Sequence, residues 1–392
     1  MPQVKFPAYH FPERSGPKEL GTPFKRVVIV QVISLDTTQE ECEDQLAEIS
    51  QLVATLDGEV VGREVQRRKS PHREYCVGPG KADAIGTLCD ALEADTVVLD
   101  HTLTPTQISH LEYETGSHVM DRTELILEIF ARRARTAEAK MQVELAYLDF
   151  VHPRLDKGAR LRAYRGGLRG HGESFLDRRI RASRARAERL RKKIARQQKQ
   201  RQTRLTRRSD AWTVALLGYT NAGKSTLLNA LSGEQLYADD RLFATLDTTT
   251  RRVHLVENHY ALFSDTVGFI RRLPHELVAS FHSTLEEALS SRLLLHVADA
   301  SSPTLHRQMK AVEQTLRELD ADVEQVILGF NKIDATDAET LDELRVLYPK
   351  ALFFSARTGR GLDSLKERIL SRFDGDVPVE PGSRGDQTEL KE

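Results

Sequence analysis

The residues best placed to do chemistry are Gly218-Tyr219-Thr220-Asn221-Ala222-Gly223-Lys224-Ser225, a G-x-x-x-x-G-K-S loop between an apolar run, 213–217, and a helical run, 226–231. Glycines at such positions let successive backbone N–H groups turn inward around phosphate oxygens. Lys224 can then reach the β and γ phosphates, and the Ser225 hydroxyl can ligate Mg²⁺. The candidate phosphate cradle is therefore Gly218, Asn221, Ala222, Gly223, Lys224, Ser225 and Thr226, with Lys224 also a candidate for catalysis.

Three further motifs follow. Asp265-Thr266-Val267-Gly268 closes the apolar run 261–263. An aspartate at a strand end can hold a Mg²⁺ shell, and the Gly268 N–H can approach a γ-phosphate because no side chain obstructs it. Asn331-Lys332-Ile333-Asp334 closes the run 326–330 and names the base. A carboxylate at Asp334 can accept from guanine N1–H and the exocyclic amine, Asn331 can bond the purine edge, and the Lys332 stem can cover the ring. Adenine would leave the carboxylate unpaired, and a site built around such a polar pair rejects the wrong partner by about 10⁴-fold or more. Ser355-Ala356-Arg357, after 351–354, gains its value as a third base-side segment from its place downstream of Asp334. Together the four segments describe a Mg²⁺-dependent GTPase with GTP as substrate.

These segments need a scaffold that brings distant loops to one edge. The sequence supplies strands ending at Asp265, Asp299 and Asn331, a hairpin through Glu257-Asn258, and helices near 272–290, 302–319, 337–347 and 362–372. That order is an α/β fold of P-loop type, a mostly parallel sheet with helices on both faces and the ligand at the carboxyl ends of the strands. Upstream, strand candidates at 26–33, 59–65, 96–99 and 118–120 alternate with helical stretches at 40–56, about 82–92, 104–115 and 123–133. This implies a smaller α/β domain with a mainly parallel sheet. Gly78-Pro79-Gly80-Lys81 in that domain has two glycines and a lysine but the spacing of neither named nucleotide fingerprint, so it reads first as a turn.

The chain has 392 residues and a net charge of −1, which hides an asymmetry: 154–208 carries 21 Lys/Arg against 4 Asp/Glu and stands at +17, the remainder at −18. A partner rich in phosphates suits that segment, and a solvated helix face is the plainer alternative. Its helices form a seam. Met141, Leu145 and Leu148 share one face, and Leu176, Ile180, Ser183, Ala187, Leu190 and Ile194 recur at 4-3-4-3-4, the spacing of two packed helices with arginines outward. Between them lies a glycine-rich loop, 165–174, holding Arg165, Arg169 and His171 and followed by Arg178 and Arg179. These five are the candidate RNA contacts, arginines meeting phosphates while glycines let the loop follow an irregular backbone.

Domain expectations are an irregular lead-in at 1–24, the small α/β domain at 25–135, a basic antiparallel helical hairpin with its linker at 136–208, the GTPase domain at 209–375 and a disordered tail at 376–392. Cys42, Cys76 and Cys89 have no C-x-x-C spacing, against a disulfide framework or zinc site. With no signal-type apolar core near the start and no run long enough for a bilayer, the reading is a cytoplasmic protein without a membrane anchor, monomeric in solution.

The loop at 218–225, Leu242-Phe243-Ala244-Thr245-Leu246-Asp247 before a threonine cluster, Asp265-Thr266-Val267-Gly268-Phe269-Ile270-Arg271 and Asn331-Lys332-Ile333-Asp334 resemble the HflX family of ribosome-associated GTPases. The resemblance continues through 78–81, Asp121-Arg122-Thr123, Met141-Gln142-Val143-Glu144-Leu145-Ala146 and the glycine loop before Asp177-Arg178-Arg179, covering about 26–372. It implies binding to the large ribosomal subunit and its RNA, with a role in dissociating or rescuing stalled or idle ribosomes. It also implies Thr245 as the Mg²⁺-sensing, catalytic threonine of the first switch, where sequence alone leaves Thr248, Thr249 and Thr250 open. Phe269 falls where many GTPases carry a water-positioning glutamine, so intrinsic hydrolysis is expected to be slow. The family's glycine loop usually reads T-R-G-P-G-E-T, against Leu168-Arg169-Gly170-His171-Gly172-Glu173-Ser174 here. An RNA-binding GTPase of ribosome assembly, tRNA modification or structured-RNA remodelling is the alternative reading.

Overall fold

The computed structural model describes residues 24–165, 175–206, 212–233, 242–243, 246, 249–255, 259–266, 268–271, 277, 289–319, 321 and 326–373, with parts of the two longest helices as backbone only. The chain divides into two compact units: one runs to Arg196 and includes 273–280, and the other holds the rest from Gln197 onward.

In the first unit, strands β1 (Arg26–Ile33), β2 (Glu59–Arg67), β3 (Thr96–Leu99) and β4 (His118–Asp121) form a parallel sheet in the order β2-β1-β3-β4. Buried β-branched runs such as Val27-Val28-Ile29-Val30 suit a strand covered on both faces. Helices α1 (Gln39–Thr55), α2 (Pro79–Ala91), α3 (Pro105–Thr115) and α4 (Arg122–Arg133) fill the connections. Their starts are locally encoded: Thr38 with Glu41 and Thr104 with Gln107 form capping boxes, and Asp121 caps α4. The Gly78-Pro79-Gly80-Lys81 segment opens α2. The Gly78 N–H donates to Gln66 Oε1 (2.7 Å) and Lys81 is ion-paired with Glu64, so the local structure is a proline-started helix.

Helix α5 (Ala137–Arg165) packs on α3 and α4. Arg154 is ion-paired to Asp121 (2.5 Å) and donates to the Leu103 carbonyl (3.0 Å), which ties α5 to the sheet end. Along α6 (Phe175–Thr206), Ile180, Ser183, Ala187, Leu190 and Ile194 are buried, and the three apolar residues from Ala187 onward cluster with Met141, Leu145 and Leu148 of α5. These contacts make up part of the expected seam, and the side chain of Leu176, its first member on α6, lies outside the described residues. The connection 166–174, with Arg169 and His171, lies outside the described residues, as do the lead-in and the tail. The compact division falls at Arg196 because this helix pair packs with the first sheet's helices, whereas composition alone set the pair apart.

The second unit holds a six-stranded sheet in the order β10-β9-β8-β5-β7-β6. Its strands are β5 (Thr213–Leu217), β6 (Thr249–His254), β7 (Tyr260–Asp265), β8 (Leu293–Asp299), β9 (Val326–Asn331) and β10 (Leu352–Phe353). Only the β6–β7 pair is antiparallel, the expected hairpin. Helices α7 (Lys224–Ser232), α8 (Leu305–Glu318), α9 (Ala338–Leu347) and α10 (Leu362–Ser371) accompany it. A core of Val214, Leu216, Leu227, Phe263, Leu295, Phe354 and Leu365 fixes the central strands. The carboxyl ends of β5, β7, β8 and β9 therefore share one edge. Among the described residues no helix is long and apolar enough to cross a membrane, and the three cysteines are buried free thiols.

Candidate nucleotide site

The loop after β5 is built by positive φ. Asn221 (φ 61°) and Gly223 (φ 89°) turn it into α7, conformations that glycine and asparagine tolerate best. Gly218 (φ 149°) lies so close to β8 that a Cβ would come 2.2 Å from the Val297 carbonyl. Lys224 is buried and its ammonium donates to the Gly218 (3.0 Å) and Tyr219 (2.9 Å) carbonyls. Burial lowers its pKa to about 8, and the nearby Asp265 carboxylate only partly restores the cation.

Asp265, at the end of β7, is paired in register with Leu216 of β5, which sets its carboxylate beside the loop. Ser225 Oγ donates to Asp265 Oδ2 (2.6 Å). A hydroxyl and a carboxylate in contact at a helix N-terminus are the hard oxygen donors that Mg²⁺ takes, so the residues fit that ion. Thr226 follows in the first turn of α7. Thr245 lies outside the described residues.

The segment after Asp265 is fastened to the phosphate loop. Phe269 N donates to the Gly218 carbonyl (3.0 Å), Thr220 N to the Phe269 carbonyl (2.8 Å), and Arg271 N to the Tyr219 hydroxyl (3.0 Å). A Cβ on Gly268 would come 2.9 Å from Thr220 Cα and 3.1 Å from Lys224 Nζ, so only glycine fits there. Phe269 is buried. Tyr219 and Thr220 occupy unspecified positions of the loop motif, so no motif signal singles them out.

On the base side, Asn331 serves as a brace. Its Nδ2 donates to the Ala222 carbonyl and its Oδ1 accepts from Ala356 N, both at 2.9 Å. The expected bond to a purine edge would have to use the second N–H of that amide. Lys332, at φ 64°, reaches back to Asp299 (Nζ–Oδ2 2.6 Å). The expectation that its stem covers the base is thus joined by an ion pair at its tip. Asp334 carries a carboxylate below its ordinary pKa, chiefly through the Ser355 hydrogen bond and also through Arg357, with which it is ion-paired. Ser355, Ala356 and Arg357 are thereby brought to Asp334, and Ser355 itself is fully buried.

The candidate RNA residues stand apart from this site along the chain. Arg178 is exposed on α6, while Arg165 and Arg179 are described as backbone only. On the same helix Arg186 makes a two-pronged contact with Glu144 (2.7 and 2.9 Å) and Arg191 pairs with Asp149 (2.5 Å).

A phosphate loop, an Asp265–Gly268 segment locked to it and an N-K-x-D strand end on a parallel sheet define a P-loop GTPase. Three sequence families match consecutive stretches, described as "GTP-binding GTPase N-terminal" (43–131), "GTP-binding GTPase Middle Region" (133–208) and "50S ribosome-binding GTPase" (213–332). The chain belongs to the HflX family of GTPases. It is 42% identical over 347 residues to GTPase HflX of Escherichia coli, covering 87% of this chain and 82% of that one. To GTPase HflX of Caldanaerobacter subterraneus subsp. tengcongensis it is 41% identical over 357 residues, covering 90% and 81%. Among solved structures it is similar to a GTP-binding protein from the archaeon Sulfolobus solfataricus in complex with GDP, at 24% identity and a TM-score of 0.45 over 89% of this chain and 98% of that one.

Proposed function

We propose that this GTPase binds the large ribosomal subunit in its GTP form, helps dissociate or rescue stalled or idle ribosomes, and lets go after hydrolysis. The observation that carries this reading is the outer face of α6. At 3.6 residues per turn, Arg178, Arg181, Arg189, Lys192 and Arg196 lie opposite the buried seam and are all exposed. A cationic face of that kind, in a chain whose GTPase region matches a family described as 50S ribosome-binding, suits ribosomal RNA phosphates.

The site supplies the switch. Ser225 and Asp265 would hold Mg²⁺, with Thr245 joining them in the GTP form; the ion would neutralise charge on the β and γ phosphates. Lys224 binds the same phosphates, Gly268 N–H meets the γ-phosphate, and Asp334 reads guanine. Loss of the γ-phosphate would release the Thr245 and Gly268 segments. The basic helices with the loop at 165–174 are the RNA-contacting part, the first α/β domain and the GTPase domain flank them, and the protein acts as a cytoplasmic monomer.

Co-sedimentation tests this. The purified protein is spun with large subunits, small subunits or a structured RNA of similar mass, at near-physiological salt, with GDP or a non-hydrolysable GTP analogue. Pelleting with the large subunit only in the GTP form is expected. Equal pelleting with every RNA, indifferent to nucleotide, would instead favour a GTPase acting on structured RNA outside the ribosome.

A further inference from the structure

Asp299 belongs to none of the four motifs of the nucleotide site, yet both its carboxylate oxygens are engaged beside them. It closes β8, paired in register with Asn331 at the end of β9, and the next amide, Ala300 N, donates to the Asn331 carbonyl (2.9 Å). Asp299 Oδ1 accepts from Ser301 N (3.0 Å) and from the Ser301 hydroxyl (2.6 Å), while Oδ2 takes the Lys332 ammonium at 2.6 Å. This strand end borders the phosphate loop: Asn331 Nδ2 donates to the Ala222 carbonyl (2.9 Å) and lies 2.2 Å from where a Cβ on Gly223 would stand.

Lys332 is held from both ends. Its backbone takes the left-handed conformation (φ 64°), uncommon for residues other than glycine and asparagine, and its carbonyl accepts from Ala335 N (2.9 Å) and the Thr336 hydroxyl (3.0 Å). Backbone of this kind persists where surrounding contacts over-determine it, and it gathers at ligand clamps. With side chains 30% and 15% exposed, the Lys332–Asp299 pair is partly screened by water and contributes little to stability. What it fixes is the path of the lysine stem between the two anchors.

We infer that Asp299 is a positioning residue for guanine-nucleotide binding: it holds the Lys332 ammonium so that the stem already lies along the base position when nucleotide arrives. The inference rests on the reading of Lys332 as the residue that covers the base. A free lysine stem has many rotamers that binding must freeze, and anchoring its tip removes that cost beforehand. The stem meets the face of a purine and not its edge. Asp299 therefore serves affinity for the ring, whereas Asp334 reads the hydrogen-bonding edge of guanine.

The test compares dissociation constants of GDP and of inosine diphosphate, which lacks the exocyclic amine. The full chain carries Asp299→Asn, Lys332→Met, both changes, or Lys332→Ala, with thermal midpoints read from Trp212 fluorescence. Asp299→Asn is expected to weaken both nucleotides by about three- to tenfold, leaving their ratio at the parental value. Lys332→Met keeps an apolar stem without its ammonium and should match that loss, and the double variant should be no weaker than either alone. Parental affinity in Asp299→Asn with Lys332→Ala weakened would overturn the role of Asp299 and leave Lys332 covering the base. Parental affinity in Lys332→Ala would remove that reading itself, and the inference with it. Losses that multiply in the double variant, or a changed ratio of the two nucleotides, would also overturn the inference, since a general loosening of the 331–334 segment produces both. If Asp299→Asn lowers the thermal midpoint too far to assay, Lys332→Met decides: parental affinity or a changed ratio there overturns the assignment, and an equal loss for both nucleotides upholds it.

Discussion

Asn331 Nδ2 donates to the Ala222 carbonyl across 2.9 Å, joining the end of β9 to a phosphate loop 109 residues earlier in the chain. The same amide accepts from Ala356 N, so one side chain braces phosphate loop and base loop together. The 218–225 loop and the 355–357 segment thus share a mechanical link.

Replacing Asn331 with Ala leaves a buried carbonyl and a buried N–H without partners. Each orphaned group costs about 1–3 kcal/mol, so stability should fall by about 2–6 kcal/mol, with GDP and GTP affinity lost together. Denaturant unfolding and nucleotide titration check this; selective loss of GTP binding would contradict the shared brace.

Asp334→Asn should move preference from GTP toward xanthosine triphosphate, because the amide donates to the xanthine carbonyl that replaces guanine's amine. Competition between the two nucleotides measures it. A parental margin for GTP would show that Asp334 does not read the base.

Lys224 sets a pH dependence of definite sign. Burial holds its pKa near 8, and a bound phosphate favours the cation and raises it, so binding above that pH takes up a proton. Affinity for GDP should fall about fourfold from pH 7 to 8.5. The protein without nucleotide moves the other way: its stability rises with pH above about 8, where the unfolded chain holds that proton more tightly. Calorimetry in buffers of different ionisation enthalpy reads the proton directly. Lys224→Ala should lose nucleotide affinity or turnover along with this dependence, and unchanged hydrolysis in that variant would remove the loop from the mechanism.

The arginines of α6 should separate into two groups. Changing Arg189, Lys192 and Arg196 together to Gln should lower the slope of log affinity for ribosomal RNA against log salt by about one per lost phosphate contact. Changing Arg186 and Arg191, which pair with Glu144 and Asp149, should shift that slope less. Filter binding over a salt series reports both, and identical slopes for the two sets would argue against an outward RNA face.

Much was legible beforehand because it is local. A buried seam repeating at threes and fours is written into 180–194, capping boxes into Thr38 and Thr104, and strands into β-branched runs. The glycines of the phosphate loop, Gly218 and Gly223, have backbone conformations that few other residues adopt. Hence the parallel sheets with their covering helices and the P-loop GTPase class could be named in advance. The separation of paired from outward arginines could not, since Arg186 and Arg189 look alike until α5 presents Glu144 to one of them.

By itself, then, the sequence determined the chemistry on offer: a candidate phosphate cradle at 218–226, an aspartate and glycine at 265 and 268, and a carboxylate at 334 suited to guanine. Only the tertiary structure decided which residues serve which. It made Asn331 a brace, gave Lys332 an ion pair with Asp299, and packed Thr220 so closely on Gly268 that no Cβ fits there. The physical reason is that motifs and periodicity record what each short stretch of backbone can do. Strand order and register bring together atoms 50 to 109 residues apart, and no local pattern carries that distance.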